Sequence, residues 1–168
     1  MKVFFIGFMG CGKTYWGRAL SKKLQIPFFD LDEKIEEHEE KPIAQIFAEE
    51  GEEYFRLLEK DVLHLITESH DMFIMACGGG TPCYYNNIDY LKKSGTVVWI
   101  NCTLDCLHKR LSAEKDKRPL IKDLTDSQLR TYIQKKYANR KIFYERASII
   151  LNDQEINLDV LVDRVFHP

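Results

Sequence analysis

An eight-residue motif near the start of the chain limits the folds that this sequence can adopt. The segment GFMGCGKT at residues 7–14 matches G-x-x-x-x-G-K-[ST] at every fixed position. An apolar run at Lys2–Ile6 precedes it, and residues 13–25 carry apolar side chains four apart, as on one face of a helix. In such a strand–loop–helix unit, backbone N–H groups and the helix N-terminus bind phosphate, while Lys13 and Thr14 contact the phosphates and Mg²⁺. The motif therefore predicts an α/β fold of the P-loop type that binds a nucleoside triphosphate.

Strand-like and helix-like segments alternate along the whole chain. Besides the first apolar run, further strands are predicted at residues 27–30, 72–76, 96–100 and 148–151. Strands that alternate with helices form a parallel sheet covered on both faces. The 168 residues contain no repeat, low-complexity segment or linker, so we expect a single domain over residues 1–168.

The charge distribution argues against one class of partner and favours another. The chain has 24 basic and 26 acidic residues and a net charge of -2, which argues against binding to nucleic acid or to an anionic membrane. Residues 32–53 hold ten acids and two bases, whereas residues 108–146 hold twelve bases and five acids. The basic block can form a site for small anions within a nearly neutral protein.

The apolar runs and the cysteines indicate a cytoplasmic protein. No apolar run approaches the ~18–20 residues of a membrane span, and glycines interrupt the apolar start too early for a signal peptide. The five cysteines include no Cys-x-x-Cys pair and no Cys/His cluster with zinc-ligand spacing, so we expect small thiols in a reducing compartment. Cys11 is interpreted as a small residue that the loop tolerates, although Lys13 beside it is also compatible with a redox-sensitive thiol.

Sequence motifs and the acidic residues at strand ends indicate which class of P-loop protein this chain belongs to. Neither D-x-x-G nor N-K-x-D occurs in the chain, which argues against a regulatory GTPase. Motor and transport ATPases end an apolar strand with a metal-binding acid, and the acid in a suitable place here is Asp30. Asp30 is therefore predicted to bind the metal beside Thr14. Asp32, two residues on, is predicted to reach a substrate hydroxyl, but it equally suits the first turn of a helix.

Three further features suggest a binding site, and each has an ordinary structural alternative. Arg56 and Glu59 stand at i and i+3 on a helix face, where a guanidinium suits a carboxylate ligand or simply forms an ion pair. The glycines at 78–80 allow close approach of a ligand to the backbone, or form a turn. Arg118 lies in the polar segment 112–124, predicted to be a loop, where it either contacts a transferring phosphate or remains solvated.

Six segments resemble the shikimate kinases, in the order found in that family: GFMGCGKT, FFDLD, FRLLE, ACGGG, KRPL and RKIFYERA. The resemblance covers nearly the whole chain, and the combination of D-x-D, F-R-x-x-E, G-G-G and R-P-L is far more specific than the P-loop. It implies a fold like that of nucleoside monophosphate kinases, with a five-stranded parallel sheet in the order 2-3-1-4-5. It also implies a monomeric, Mg²⁺-dependent kinase that transfers the γ-phosphoryl group of ATP to the 3-hydroxyl of shikimate, on the path to chorismate.

The resemblance also implies roles for individual residues. The catalytic groups would be Lys13, Asp32 and Arg118, with Arg118 on a lid over residues 112–124. A shikimate-binding region would span residues 32–70, and the substrate contacts would be Asp32, Arg56, Glu59, Gly78, Gly79, Gly80, Arg140, Phe47 and Phe55. ATP would contact Gly10, Cys11, Gly12, Lys13, Thr14, Tyr15, Arg110, Arg118 and Gln154, with Arg110 against the adenine. Mg²⁺ would be held by Thr14 and, through water, by Asp30.

Two positions depart from the family pattern, and competing functions stay open. Cys77 stands where the family usually has Ser or Thr, which removes a hydroxyl that can bond a metal-bound water. Cys11 replaces the usual Ser or Ala. A gluconate kinase or a nucleoside monophosphate kinase shares the fold, although the acidic block at 32–53 suits a second phosphate poorly. A nucleotide-gated binding module without a small-molecule acceptor is the alternative from another class.

Overall fold

The computed structural model describes residues 1–167, in which five strands and seven α-helices follow one another along the chain. The elements are β1 (Lys2–Ile6), α1 (Lys13–Leu24), β2 (Phe28–Asp30), α2 (Leu31–Glu39), α3 (Ile43–Ser69), β3 (Phe73–Ala76), α4 (Asn87–Ser94), β4 (Thr96–Asn101), α5 (Leu104–Glu114), α6 (Asp126–Tyr144), β5 (Ile149–Asn152) and α7 (Leu158–Phe166). Short 3₁₀ turns lie at Thr81–Cys83 and Lys115–Lys117.

The five strands form one parallel sheet in the order β2-β3-β1-β4-β5, which confirms the predicted P-loop topology. Phe5 in the central strand β1 lies opposite Ala76 of β3 and Val98 of β4. The last four residues of β1 are fully buried, as are the central residues of β3 and β4. Because helices cover both faces of the sheet, these strands are continuous apolar runs, and this explains why the sequence revealed them.

The helix boundaries agree with the sequence prediction at Gly51 and differ from it at two other segments. The sequence predicts one helix from Pro42 to about Glu50 and another from Glu52 to Glu68, and α3 confirms this break, because Gly51 is non-helical there with φ 84° and ψ 174°. The loop predicted at 112–124 is shorter, because α5 continues to Glu114 and the 3₁₀ turn Lys115–Lys117 follows. Ser, Ala and Glu at 112–114 allow the helix to continue although their side chains are exposed. Helix α4 was not predicted, since only Ile88 and Leu91 give it an apolar face.

Each strand delivers a polar or glycine-rich segment to the same edge of the sheet. The P-loop follows β1, Asp30 ends β2 and three glycines follow β3. Cys102 follows β4 and Asp153 follows β5. The carboxyl edge of an open α/β sheet is where ligands bind in such folds, so the candidate site lies there. Among the residues that the structure describes, no helix combines the length and the apolar character needed to cross a membrane.

Candidate active site

The P-loop joins β1 to α1 and encloses a cavity of about 230 Å³, called here the P-loop cavity. Gly7, Gly10 and Gly12 have positive φ angles of 139°, 79° and 100°. A Cβ at Gly7 would lie 2.8 Å from the carbonyl oxygen of Ile100, so only glycine fits there. The Nζ of Lys13 donates to two backbone carbonyls of the loop, at 2.8 and 2.9 Å. Lys13 therefore lies at the wall of the cavity, beside the N-terminus of α1.

Thr14 and Asp30 meet across the P-loop cavity. The Thr14 hydroxyl donates to Oδ2 of Asp30 at 2.9 Å. The other oxygen of Asp30, Oδ1, accepts from the backbone N–H of Asp32 at 3.1 Å and caps α2. Asp30 thus both faces Thr14 and fixes the start of the helix that carries Asp32.

Asp32 lies in the first turn of α2, between two cavities. Burial, together with the charges of Asp30 and Glu59, raises the pKa of its carboxyl from an ordinary 3.8 to about 6, although Lys13 and Arg56 oppose the rise. A carboxylate with a pKa near 6 is ionised at neutral pH and still a better proton acceptor than an ordinary aspartate. The position therefore suits a general base.

Arg56 and Glu59 form a buried ion pair on one face of α3. Nη1 of Arg56 lies 2.9 Å from Oε1 of Glu59, and the two side chains are 9% and 1% exposed. The remaining oxygen of Glu59, Oε2, accepts from the Thr81 hydroxyl at 2.7 Å. The guanidinium also lies 4.3 Å from the centre of the Tyr84 ring. These contacts hold Arg56 in one orientation, which an exposed helix-face ion pair does not achieve.

The glycines at 78–80 run beside two arginines. A Cβ at Gly80 would lie 2.6 Å from Nη2 of Arg56, and a Cβ at Gly79 would lie 3.1 Å from Nη1 of Arg140. Arg140 comes from α6 and is 9% exposed. A side chain at Gly80 would thus collide with the buried Arg56 guanidinium, whereas one at Gly79 would displace Arg140 by only a few tenths of an ångström.

A second cavity, called here the Arg56 cavity, has a volume of about 160 Å³. Its walls include the two arginines and a pair of aromatic rings, Phe47 and Phe55, whose centroids are 4.4 Å apart. It shares Met9, Asp32, Gly78, Gly79 and Arg118 with the P-loop cavity. A ligand in the Arg56 cavity and a phosphate chain in the P-loop cavity would therefore meet beside Asp32. Two guanidinium groups give the Arg56 cavity the chemistry to bind a carboxylate.

Arg118 lies where the two cavities meet, held by a neighbour on its own segment. Its Nε and Nη2 donate to Oε2 of Glu114 at 3.2 and 2.8 Å. The segment that carries Arg118 faces the N-terminal half of α3 across a further cavity of about 750 Å³, with Leu120 opposite Ile43 and Phe47. The predicted lid thus borders both cavities and is separated from α3 by open space.

The residues that the resemblance assigns to adenine lie to one side of the P-loop. Nη2 of Arg110 is 2.9 Å from each carboxylate oxygen of Asp153, and its Nη1 contacts P-loop carbonyls at 3.3 Å. Gln154 lines a cavity of about 310 Å³, called here the Cys106 cavity, together with Tyr137. Tyr15 borders the P-loop cavity and is 69% exposed.

Two buried cysteines have different electrostatic surroundings: Cys77 lines the P-loop cavity, and Cys11 lies within the P-loop itself. Burial and the charge of Glu59 raise the pKa of Cys77, which leaves a neutral thiol where the family usually has a hydroxyl. Burial also raises the pKa of Cys11, but a hydrogen bond with Cys102 and the charge of Lys13 lower it by more. Nζ of Lys13 is 3.8 Å from Sγ of Cys11.

Sequence reasoning missed three residues that support this site. Tyr144 donates a hydrogen bond to the Gly79 carbonyl, Thr81 bonds Glu59, and Glu114 holds Arg118. Tyr144 stands four residues after Arg140 on the same face of α6, which is the one signal that pointed to it. Thr81 and Glu114 carry no comparable signal, because their partners are fixed by the turn after β3 and by the length of α5.

Comparisons with known proteins agree with the geometry. The family model described as shikimate kinase matches residues 9–167. A shikimate kinase from Azobacteroides pseudotrichonymphae is 35% identical over 98% of this chain and 96% of the relative. One from Bacteroides thetaiotaomicron is 37% identical over 93% of this chain and 89% of the relative.

Solved structures show the same likeness in three dimensions. The crystal structure of shikimate kinase from Bacteroides thetaiotaomicron superposes with a TM-score of 0.90 at 36% identity, covering 98% of this chain and 95% of that one. Shikimate kinase from Acinetobacter baumannii in complex with shikimate superposes with a TM-score of 0.85 at 29% identity, covering 98% and 92%. With a family model over most of its length and relatives above 30% identity, the chain belongs to the shikimate kinase family.

Proposed function

We propose that this protein transfers the γ-phosphoryl group of ATP to the 3-hydroxyl of shikimate, giving shikimate 3-phosphate and ADP. The observation that carries the proposal is the meeting of the P-loop cavity and the Arg56 cavity at Asp32. One cavity has the chemistry of a phosphate site and the other that of a carboxylate site, and shikimate carries both a carboxylate and hydroxyls. The related kinase from Acinetobacter baumannii, described in complex with shikimate, supports this choice of acceptor.

The nucleotide phosphates would lie along the P-loop. Backbone N–H groups and the N-terminus of α1 would bind them, and Lys13 would exchange its two carbonyl partners for the β- and γ-phosphate oxygens. The adenine would occupy the Cys106 cavity, beside Arg110 and Gln154.

The side chains of Thr14 and Asp30 fit Mg²⁺. Their hydroxyl and carboxylate oxygens, 2.9 Å apart, are hard donors of the type that this ion prefers. Thr14 would hold the ion directly and Asp30 would hold it through water. When bound, Mg²⁺ supplies positive charge that neutralises the β- and γ-phosphate oxygens.

Protein contacts to the carboxylate and to the ring hydroxyls would orient the acceptor. Arg56, fixed by Glu59, and Arg140 would bind the carboxylate, while the backbone at Gly79 and the Asp32 carboxylate would contact ring hydroxyls. Asp32 would accept the proton of the attacking hydroxyl as the bond to phosphorus forms. Phosphoryl transfer has a loose transition state, so this positioning supplies most of the catalysis.

Arg118 would complete the site when the lid closes. Its guanidinium would leave Glu114 and bind the transferring phosphoryl group, and the lid would move toward α3 across the open cavity between them. Closure would also exclude water that otherwise hydrolyses ATP. The proposal includes a monomeric enzyme in the cytoplasm, and five free thiols in the described structure fit a reducing compartment.

A coupled assay of ADP release against shikimate, gluconate and nucleoside monophosphates tests the proposal. Of these acceptors, we expect only shikimate to give rapid ADP release. Lys13→Ala should lose at least ~10²-fold in kcat. A nucleotide-gated binding module would instead release ADP at the same rate with and without shikimate. Turnover with gluconate or a nucleoside monophosphate in place of shikimate would assign the chain to a different kinase reaction.

A further inference from the structure

Three side chains of types that ligate zinc meet at the carboxyl edge of the sheet, beside the phosphate site. The ligand atoms of Cys102, Cys106 and Asp153 all lie within 4.8 Å of one another. Cys102 follows β4 and Cys106 lies in the first turn of α5, whereas Asp153 follows β5, 47 residues beyond Cys106. Parallel pairing of β4 with β5 brings them together, and for this reason the cysteine spacing alone predicted no metal site.

Each ligand atom already has a polar neighbour, and Sγ of Cys102 donates to the backbone carbonyl of Cys11 at 3.5 Å, a bond that a bound ion would replace. Sγ of Cys106 lies 3.6 Å from Oδ2 of Asp153. Arg110 binds the carboxylate with Nη2, and its Nη1 lies 3.6 Å from Sγ of Cys102. In a tetrahedral zinc site the ligand atoms are about 3.5–3.8 Å apart, as follows from Zn–S and Zn–O bonds of roughly 2.3 and 2.1 Å. Small side-chain rotations are therefore enough to close the cluster around an ion.

The charges of the loaded site balance. Two thiolates and one carboxylate carry three negative charges, which a divalent ion and the Arg110 guanidinium neutralise together. Oδ1 of Asp153 can keep its bond to Arg110 while Oδ2, the oxygen that faces Cys106, exchanges its own bond to Arg110 for the ion. Such an outer contact orients a ligating carboxylate. Thiolate ligands select zinc over Mg²⁺ and Ca²⁺.

We propose that Cys102, Cys106 and Asp153 form a binding site for a thiophilic divalent ion of the zinc class, with its fourth position open to solvent. Loading displaces two thiol protons to solvent and transfers no electrons. The three ligands line the Cys106 cavity together with Gln154 and Tyr137. On the proposed function this cavity takes the adenine, so the ion and ATP compete for it.

Cobalt titration of the reduced, nucleotide-free protein tests the site. Co²⁺ should bind with one equivalent, give a thiolate-to-cobalt charge-transfer band, and be displaced by Zn²⁺. Cys106→Ser and Asp153→Asn should each weaken binding by at least ~10-fold, and the serine variant should also weaken the band. Cys83→Ser is the matched control, since Cys83 is a partly buried thiol outside the cluster, and it should bind cobalt like the wild type.

The proposal fails if the wild type gives no thiolate band, if the band survives both cluster substitutions, or if Cys83→Ser weakens it equally.

The competition with ATP, which rests on the proposed function, is measured separately. Zn²⁺ should raise the KM for ATP and leave the KM for shikimate unchanged in the wild type, with a smaller effect in Cys106→Ser. If cobalt binds but zinc leaves the KM for ATP unchanged, the adenine position is wrong and the metal site stands. If shikimate-dependent turnover occurs and no cobalt binds, the metal site is wrong and the proposed function stands.

Discussion

The hydroxyl of Tyr144 donates a 2.6 Å hydrogen bond to the carbonyl oxygen of Gly79, a residue 65 positions earlier in the chain. Tyr144 is fully buried at the end of α6, and its ring packs against Trp99 of β4. The bond joins the helix that carries Arg140 to the glycine segment that lines both cavities. It therefore fixes the backbone at Gly79 relative to the two arginines of the Arg56 cavity.

Replacing Tyr144 by Phe tests that connection. The change leaves a partly buried carbonyl without its protein partner, so we expect a loss of about 1 kcal/mol in the free energy of unfolding. The KM for shikimate should rise several-fold while the KM for ATP stays unchanged, measured by steady-state kinetics. Tyr137→Phe is the matched control, because its hydroxyl bonds Asn101 instead and its loss should leave the KM for shikimate unchanged. Equal effects of both substitutions on that KM would contradict a specific role for Tyr144.

The raised pKa of Asp32 predicts a pH dependence. Only the ionised carboxylate accepts the proton of the acceptor hydroxyl, so kcat/KM for shikimate should fall tenfold per pH unit below about pH 6. Asp32→Asn should lose at least ~10²-fold in kcat, a few kcal/mol of barrier, and should also lose this acid limb. A wild-type profile that is flat between about pH 5 and pH 7, or a variant that keeps the limb, would remove the base role from Asp32.

The same pKa shift predicts that the ionised Asp32 carboxylate lowers the free energy of unfolding. The carboxyl has a pKa of 3.8 in the unfolded chain and about 6 in the folded protein. Its favourable contribution to the free energy of unfolding is therefore present below about pH 3.8 and is lost as the pH rises through about 6. Asp32→Asn, which is always neutral, should therefore be more stable than the wild type by about 1–3 kcal/mol at pH 8. The difference should shrink to near zero at about pH 4. Denaturant unfolding at both pH values measures it, and a stability gain that is independent of pH would argue against this explanation.

If Arg118 binds the transferring phosphoryl group, as we propose, Glu114 competes with the nucleotide for it. The pair is half exposed, with side-chain exposures of 34% and 48%, so its strength is that of a surface ion pair. Glu114→Gln should lower the KM for ATP by roughly two- to fivefold, because Arg118 then leaves its neighbour more readily. A double-mutant cycle separates this effect from a general loss of negative charge. In an Arg118→Ala background the substitution should change the KM for ATP less, and an undiminished effect would rule out the competition.

The fold was predictable because its strongest signals are local. The buried strands are continuous apolar runs, and the P-loop is a fixed pattern that lies between β1 and α1 as predicted. The end of α5 and the short helix α4 were not predictable in the same way. Residues 112–114 are exposed and polar, so nothing in their pattern separates a helix from a loop, and packing of Ile88 and Leu91 decides α4.

The site was partly predictable for a similar reason. Thr14, Asp30 and Asp32 lie near strand ends, which the apolar runs locate, and Arg56 with Glu59 follows from helical spacing. Arg140 was named on the family resemblance alone, because it lies on a helix with several other basic residues. Its closeness to Gly79 depends on how α6 packs over the sheet, and that is a property of the tertiary structure.

The central claim is that a phosphoryl group passes from the P-loop cavity to a hydroxyl in the Arg56 cavity beside Asp32. Incubation of the protein with γ-³²P-labelled ATP, Mg²⁺ and shikimate, followed by chromatography of the products, measures this transfer directly. We predict that the label moves to shikimate in a stoichiometric amount with ADP, and that Asp32→Asn slows the transfer by at least ~10²-fold. Label recovered only as inorganic phosphate, or transfer at an unchanged rate in Asp32→Asn, would contradict the account.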